Sequence, residues 1–240
     1  MILAAGLGTR LRPLTHDRPK ALVELDGRTL LDLALERLRG LGVRQVIVNV
    51  HHFAEQVIDF VAANRSFGMR IEISREEELL DTGGGLKKAA WFFLEDDADR
   101  NQPFLLHNVD VLSNIDLAGM VQFHTRRGAL ATLAMQNRRT ARPLLFDAEG
   151  QLRGRGVDGT KPGESALAFC GIHMLSPRIF TDLRQDGPFS IIDAYLRLAA
   201  RGETIAAWRA DESYWRDLGT PENIAQAEHD LKTGVYRNPA

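Results

Sequence analysis

The chain has 240 residues, of which 44% are hydrophobic and 26% charged, with a formal net charge of -2. That balance gives no global field to attract nucleic acid, so affinity for a polyanion has to come from a local patch. The one cysteine, Cys170, excludes an internal disulfide framework and fits a reducing compartment. No apolar run approaches the ~20 residues that a membrane span needs. "MIL" leads straight to a glycine turn and does not read as a secretory leader, so a cytoplasmic location is expected.

In chain order, "MILAA" reads as a strand; it starts so close to residue 1 that one or two further strand residues are expected upstream. "TLLDLALERLRGLG" carries Leu30, Leu31, Leu35, Leu38 and Leu41 at helical spacing. Thr29 is placed to cap its start, and Gly40 or Gly42 its end. "RQVIVNV" follows as a buried strand, "FAEQVIDFVAANR" as a helix, "RIEIS" as a strand and "GGLKKAAWFFLE" as one helix. "PFLLHNVDVL" is a strand with a polar end. This alternation predicts parallel strands with right-handed crossovers, an α/β layered sheet. Beyond about residue 128, "ALATLAM", "RPLLFDAEGQLRG" and "ALAFCGIHML" predict strands, with "FDAEGQL" a hairpin connection. "SIIDAYLRLAARG" and "PENIAQAEHDLKTG" predict helices. Nothing rich in Pro or Gly separates the halves. One continuous domain is expected, with an α/β front half (about 1–128) and a mixed back half (about 129–240).

The first strand feeds "LAAGLGTRLRPLTHDRPK", Leu3 to Lys20. Glycines let backbone N–H groups turn toward an anion with no Cβ in the way. The Walker pattern is absent. A dinucleotide G-x-G-x-x-G starts with Gly6 and Gly8 but meets Leu11 at its third position. What remains is a loop whose amides can embrace a triphosphate, with Arg10 as a planar fork and Lys20 as a mobile point charge.

This segment resembles the opening motif of the sugar-1-phosphate nucleotidyltransferases, pyrophosphorylases that join a sugar phosphate to a nucleotide. The resemblance extends over most of the chain, through "DTGGG" (Asp81 to Gly85), "NVD" (Asn108 to Asp110), "FCGIHML" (Phe169 to Leu175) and "YWRDLGTPENIAQAE" (Tyr214 to Glu228). It implies a Rossmann-like layered mixed sheet of the nucleotide-diphospho-sugar transferase type, without a C-terminal β-helix. It places Leu3, Ala4, Ala5, Gly6, Gly8, Thr9, Arg10 and Asn108 on the nucleotide. Arg10, Lys20 and Asp110 take the catalytic roles. The base falls to Thr82, Gly83 and Gly84, with Glu78 a secondary candidate, and the sugar to Gly171 and Glu164.

Joining two anions calls for neutralised charge, and Mg²⁺ held by one or two carboxylates supplies it. Asp110 lies just beyond a predicted strand's C-terminal edge, where open α/β sheets bind ligands. Asp217 sits beside Thr220, a cap for a helix starting at Pro221. The resemblance gives both aspartates to the metal. Alone, either reads equally well as a turn aspartate. Relatives usually carry a small residue where this chain has Val109, whose side chain is expected to point away from Asp110 by alternation.

The remaining polar residues read blandly. Adjacent His51 and His52 point to opposite faces, poor geometry for chelation. Cys170 lies in an apolar strand with no base partner. Trp91, Phe92 and Phe93 read as core on at least one side, and "EDDADR" as a solvated loop. "TKPGES" only partly matches the E-K-P segment of some relatives.

The expected substrates are a nucleoside triphosphate and a sugar 1-phosphate, with neither nucleic acid nor membrane as partner, and the expected assembly is a homodimer. Within the class, UTP with N-acetylmuramate 1-phosphate is the favoured pair and GTP with mannose 1-phosphate the alternative. A sugar-nucleotide glycosyltransferase and a nucleotide-sugar sensor are the readings from other classes. The first does not need a triphosphate grip from Arg10 and Lys20; the second calls for a lost metal ligand.

Overall fold

The computed structural model describes residues 1–95, 102–156 and 162–237. In chain order the elements are β1 (Ile2–Leu3), β2 (Glu24–Leu25), β3 (Arg28–Thr29), α1 (Leu30–Gly40), β4 (Gln45–Val50), α2 (Ala54–Ala63), β5 (Arg70–Arg75), α3 (Asp81–Lys88), α4 (Ala90–Leu94), β6 (Phe104–Asn108), β7 (Val111–Ser113) and α5 (Leu117–Arg127). They continue with β8 (Ala131–Gln136), β9 (Leu144–Phe146), β10 (Leu152–Arg155), β11 (Ser165–Leu175), α6 (Ile179–Asp182), α7 (Ile191–Ala200), β12 (Ile205–Arg209), β13 (Trp215–Asp217) and α8 (Pro221–Lys232). The fold is mixed α/β, as expected.

The chain forms two compact units. The first takes Met1–Leu79, His107–Asn114 and the residues from Tyr214 onward; the second takes Leu80–Leu106 and Ile115–Ser213.

In the first unit β1 lies between β4 and the end of β6, and β4 pairs with β5, all in parallel. β4 reads "QVIVNV" and is buried at every position after Gln45, the pattern of a parallel strand covered on both faces. α1 begins as its cap predicts, with the Thr29 hydroxyl accepting from Asp32 N at 3.1 Å. It ends at Gly40, and Gly42 at φ +85° closes the turn by donating to the Arg39 carbonyl at 2.9 Å. β13 runs antiparallel to β7, with Asp217 opposite Val111. α8 starts where Thr220 accepts from Asn223 N at 3.3 Å, with Pro221 in its first turn.

The second unit holds a mixed sheet in the order β12-β8-β11-β9-β10, parallel between β12 and β8 and antiparallel elsewhere. β9 and β10 form the predicted hairpin around "FDAEGQL". Ser190 caps α7 by accepting from Ile192 N at 3.2 Å.

Four details differ from the sequence reading. The first strand is only Ile2–Leu3. The single helix expected over "GGLKKAAWFFLE" divides at Ala89, whose φ/ψ of -82°/1° and shared carbonyl contacts tighten the last turn of α3. The strand "PFLLHNVDVL" divides at Val109 and Asp110, which form a turn between β6 and β7. α5, α6, β12, β13 and the short β2–β3 pair were not expected; Asp116 caps α5, and Gly128 at φ +58° ends it. Trp91 is exposed, while Phe93 stacks on Phe104 with ring centroids 3.9 Å apart, so the apolar run is covered only in part. The "EDDADR" run after Glu95, and Thr160 and Lys161 of "TKPGES", lie outside the described residues.

Candidate active site

The loop after β1 is built around Gly8, which holds φ +63°. A Cβ there would meet Thr15 Cγ2 at 3.0 Å and Lys20 Cβ at 3.1 Å, so glycine is needed for conformation and for space. Thr15 Oγ1 donates to the Gly8 carbonyl at 2.9 Å, and Leu11 N donates to the same oxygen at 2.9 Å. Residues 8–15 are thereby tied into a compact excursion. Leu11, the residue that breaks the dinucleotide pattern, is fully buried. Its side chain anchors the loop where that pattern would carry glycine.

The backbone N–H groups of Ala5, Gly6, Leu7, Gly8, Thr9 and Arg10 donate to no acceptor among the described residues. Gly6, Leu7, Thr9 and Arg10 are exposed. Consecutive amides left open beside cationic side chains suit an anion.

Two acidic side chains stand at this loop. Lys20 Nζ donates to Asp110 Oδ2, and the two side chains are only 14% and 13% exposed. Arg10 Nη2 lies 3.9 Å from Asp217 Oδ2. Asp110 occupies the turn before β7, and Asp217 ends β13 on the neighbouring strand. Leu218 N donates to the Asp110 carbonyl at 2.7 Å, locking the two segments together. Two aspartates far apart in sequence thus meet at one place, with Arg10 and Lys20. Burial pushes the Asp217 carboxyl above its ordinary value; the Asp110 charge adds to this, while Lys20, the Gly219 N–H and Arg10 oppose it.

Gly219 completes the arrangement, and the sequence reading gave it no role. Its N–H donates to Asp217 Oδ1 at 2.7 Å. A Cβ on it would come within 2.6 Å of that same oxygen and 2.7 Å of Arg10 Nη2. The signal was present, a glycine two residues after a candidate ligand, but its reason is a spatial approach.

The carboxylate pair fits a hard divalent cation. Its donors are oxygens, and like charges held together gain from a cation between them. No group of three or more His, Cys, Asp or Glu side chains forms a metal site among the described residues. Mg²⁺ needs only one or two carboxylates, with phosphate oxygens and waters completing its shell. Val109 is buried while Asp110 keeps some exposure, and its N–H donates to the Leu3 carbonyl at 3.1 Å. Val109 shares a turn with Asp110, so the strand alternation expected to turn its side chain away does not apply there. Asn108 ends β6 opposite Leu3.

Apart from Glu78, which belongs to the first unit, the other expected site residues lie in the second unit. Gly83 and Gly84 are buried in the first turns of α3. A Cβ on Gly83 would meet the Phe189 ring at 2.2 Å, and one on Gly84 the Gly187 carbonyl oxygen at 2.5 Å. The close approach these glycines allow is made to the chain's own segment before α7. Thr82 takes part through its hydroxyl, which accepts from Ile191 N at 3.0 Å. Gly171 holds φ +73° inside β11, where the register with β8 shifts, so a bulge explains glycine there. Glu164 is half-buried just before β11, and Glu78 is exposed ahead of α3. Cys170 is buried, and burial pushes its thiol up to about 11. His51 Nδ1 donates to the Glu76 carbonyl at 2.9 Å, and the His52 ring packs on Phe53.

Comparison with known proteins fits this geometry. The family model described as "Nucleotidyl transferase" matches residues 1–234. The chain is 35% identical to N-acetylmuramate alpha-1-phosphate uridylyltransferase of Caulobacter vibrioides, covering 96% of both chains. It is 29% identical to mannose-1-phosphate guanylyltransferase of Mycobacterium tuberculosis, over 100% of this chain and 66% of that one. HddC from Yersinia pseudotuberculosis, solved with GMP-PN, superposes with a TM-score of 0.76 at 24% identity, covering 96% of this chain and 97% of that one. UDP-glucose pyrophosphorylase with UDP-glucose superposes at 0.77 and 18% identity, covering 97% of each; both structures share the fold. The chain belongs to the nucleotidyl transferase family, and its curated relatives above are sugar-1-phosphate nucleotidyltransferases. The resemblance read from the sequence motifs is borne out.

Proposed function

We propose that this enzyme transfers a nucleotidyl group from a nucleoside triphosphate to a sugar 1-phosphate, with UTP and N-acetylmuramate 1-phosphate as the pair. The observation that carries the reading is the meeting of Asp110 and Asp217 beside the open amides of Ala5 to Arg10, with Lys20 and Arg10 on the two carboxylates. In the reaction an oxygen of the sugar phosphate attacks the α-phosphorus, the bond from that phosphorus to the bridging oxygen breaks, and pyrophosphate leaves. The sugar phosphate is already anionic at neutral pH, so no general base is needed. Catalysis is positioning plus charge neutralisation.

The chain's residues divide that work. The loop amides and Arg10 hold the β- and γ-phosphates. Lys20 balances charge as it builds in the transition state. Asp110 and Asp217 are the residues that would hold Mg²⁺, which when bound supplies charge neutralisation on the phosphate oxygens. Thr82, Gly83 and Gly84 are assigned to the base, and Gly171 and Glu164 to the sugar. The uridylyl and muramate assignment is supported by the near end-to-end match with the Caulobacter enzyme. A cytoplasmic homodimer is the proposed form.

The test is pyrophosphate release from UTP, GTP, CTP and dTTP, each paired with N-acetylmuramate, mannose and glucose 1-phosphates, with MgCl2 present. Release confined to UTP with the muramate derivative is the expected result. Release confined to GTP with mannose 1-phosphate would replace the substrate pair. Release from none would overturn the proposed reaction.

A further inference from the structure

The backbone ladder of β1 stops at Leu3, yet the next N–H is not left unpaired. Ala4 N donates to Asn49 Oδ1 at 2.7 Å, and Asn49 Nδ2 donates to Glu76 Oε1 at 2.6 Å. Asn49 and Glu76 are 3% and 2% exposed, which makes this a buried polar chain linking the ends of β4 and β5 to the start of the phosphate loop. Glu76 is fixed in turn, since its N–H donates to the Val50 carbonyl at 2.8 Å and its carbonyl accepts from His51. A side-chain amide carries an acceptor at one end and a donor at the other, and here both ends are engaged. The Ala4 donor fixes the face that Oδ1 must present, and the Glu76 carboxylate holds Nδ2 on the other side. Ala4 is the last amide paired before the open run from Ala5 to Arg10.

We infer that Asn49, oriented by Glu76, is a positioning residue for the phosphate loop: it sets the peptide plane from which the anion-binding amides fan out. This rests on the proposed binding of triphosphate by those amides. A purely structural role would change stability and leave phosphate recognition alone.

Two variants of the full chain separate the possibilities. Asn49→Leu keeps the side chain's size and removes its acceptor. Asn49→Asp with Glu76→Gln keeps an acceptor for Ala4 and reverses the donor and acceptor of the second bond. The measurements are the KM for UTP and kcat in pyrophosphate release, and hydrogen-exchange protection of the amides of residues 4–12 on adding inorganic tripolyphosphate. Expected for Asn49→Leu is a rise in KM of roughly tenfold, the scale of one buried amide left unpaired, with kcat changed less and the protection lost. The double variant should recover most of both.

A folded Asn49→Leu protein with wild-type KM and protection would overturn the inference. So would a folded double variant as impaired as Asn49→Leu; should Asn49→Leu not fold, the double variant decides alone. If the wild type releases no pyrophosphate but tripolyphosphate protects its loop in an Asn49-dependent way, the reaction is wrong and the positioning role stands. Turnover without any protection of these amides in the wild type sinks the positioning role.

Discussion

Asp217 has three neighbours of different kinds: a cation 3.9 Å away on Arg10 and an N–H 2.7 Å away on Gly219, which hold it, and the carboxylate of Asp110, which repels it. The last two make distinct predictions. Asp110→Asn keeps the shape of the turn and removes a charge, so kcat should fall by about 100-fold or more, with nucleotide affinity, by titration calorimetry, changed much less. Gly219→Ala places a methyl group against Asp217 Oδ1 and Arg10 Nη2. Both are ends of movable side chains, so thermal stability should hold. Misplacing them costs catalysis, and kcat should drop about tenfold or more. Gly83→Ala is its opposite, because its Cβ would collide with the Phe189 ring and backbone. A loss of roughly 1–3 kcal/mol is expected in denaturant unfolding, as for overpacked cores. Arg10 and Lys20 were legible in the sequence as cations in a glycine-rich loop, whereas Asp110 and Asp217 were singled out by the family resemblance, since alone each reads equally well as a turn aspartate. Asn49, Glu76 and Gly219 were not legible, since what distinguishes them is which atoms they approach after folding.

At the scale of elements, local chemistry decided what could be read. Thr29, Ser190 and Thr220 stand before apolar helical runs and cap them as expected. α5 was missed because "LAGMVQFHTRR" mixes glycine, polar and apolar residues, and its buried His124 bonds to Thr132 and Ser176 instead of facing water. β1 is short because its ladder gives way to the Asn49 side chain, an exchange that no periodicity announces.

The placement of β13, and so of Asp217, depends on Asp230 in α8. Asp230 Oδ2 accepts from Tyr214 Oη at 2.7 Å and from Arg216 Nη2 at 2.7 Å, and Oδ1 accepts from Gln226 Nε2 at 2.9 Å. Asp230→Ala leaves these donors without their acceptor inside the first unit. Stability should fall by roughly 2–4 kcal/mol, and kcat should fall with it because Asp217 sits at the end of the loosened strand. A variant with full thermal stability would show that α8 does not hold β13.

Over the whole molecule, two buried histidines tie stability to pH. Burial, with Arg37 adding to it, pushes His107 down to about 3; burial, with Arg178, pushes His124 down to about 4. Both are neutral when folded at pH 7, while an unfolded histidine takes a proton near pH 6.5. Folded values below the unfolded one mean that the stability is complete above about 6.5 and drains away as pH falls toward 4. For His107 alone the loss between pH 7 and 5 is on the order of 2 kcal/mol. Urea unfolding at the two pH values should show it, and His107→Asn should flatten the dependence. An unchanged slope in that variant would assign the acid sensitivity elsewhere. The alternation of strand and helix and the order of motifs made the class of fold legible at this scale; the division into two units was not, because it depends on contacts between distant segments.

The most direct test of the account is to compare wild type with Asp110→Asn/Asp217→Asn for UTP binding and for Mg²⁺-supported pyrophosphate release in the presence of N-acetylmuramate 1-phosphate. The prediction is that the double variant still binds UTP through the opening loop and has lost turnover. Wild-type turnover in the folded double variant would contradict the central claim that these two carboxylates and the loop form one catalytic centre.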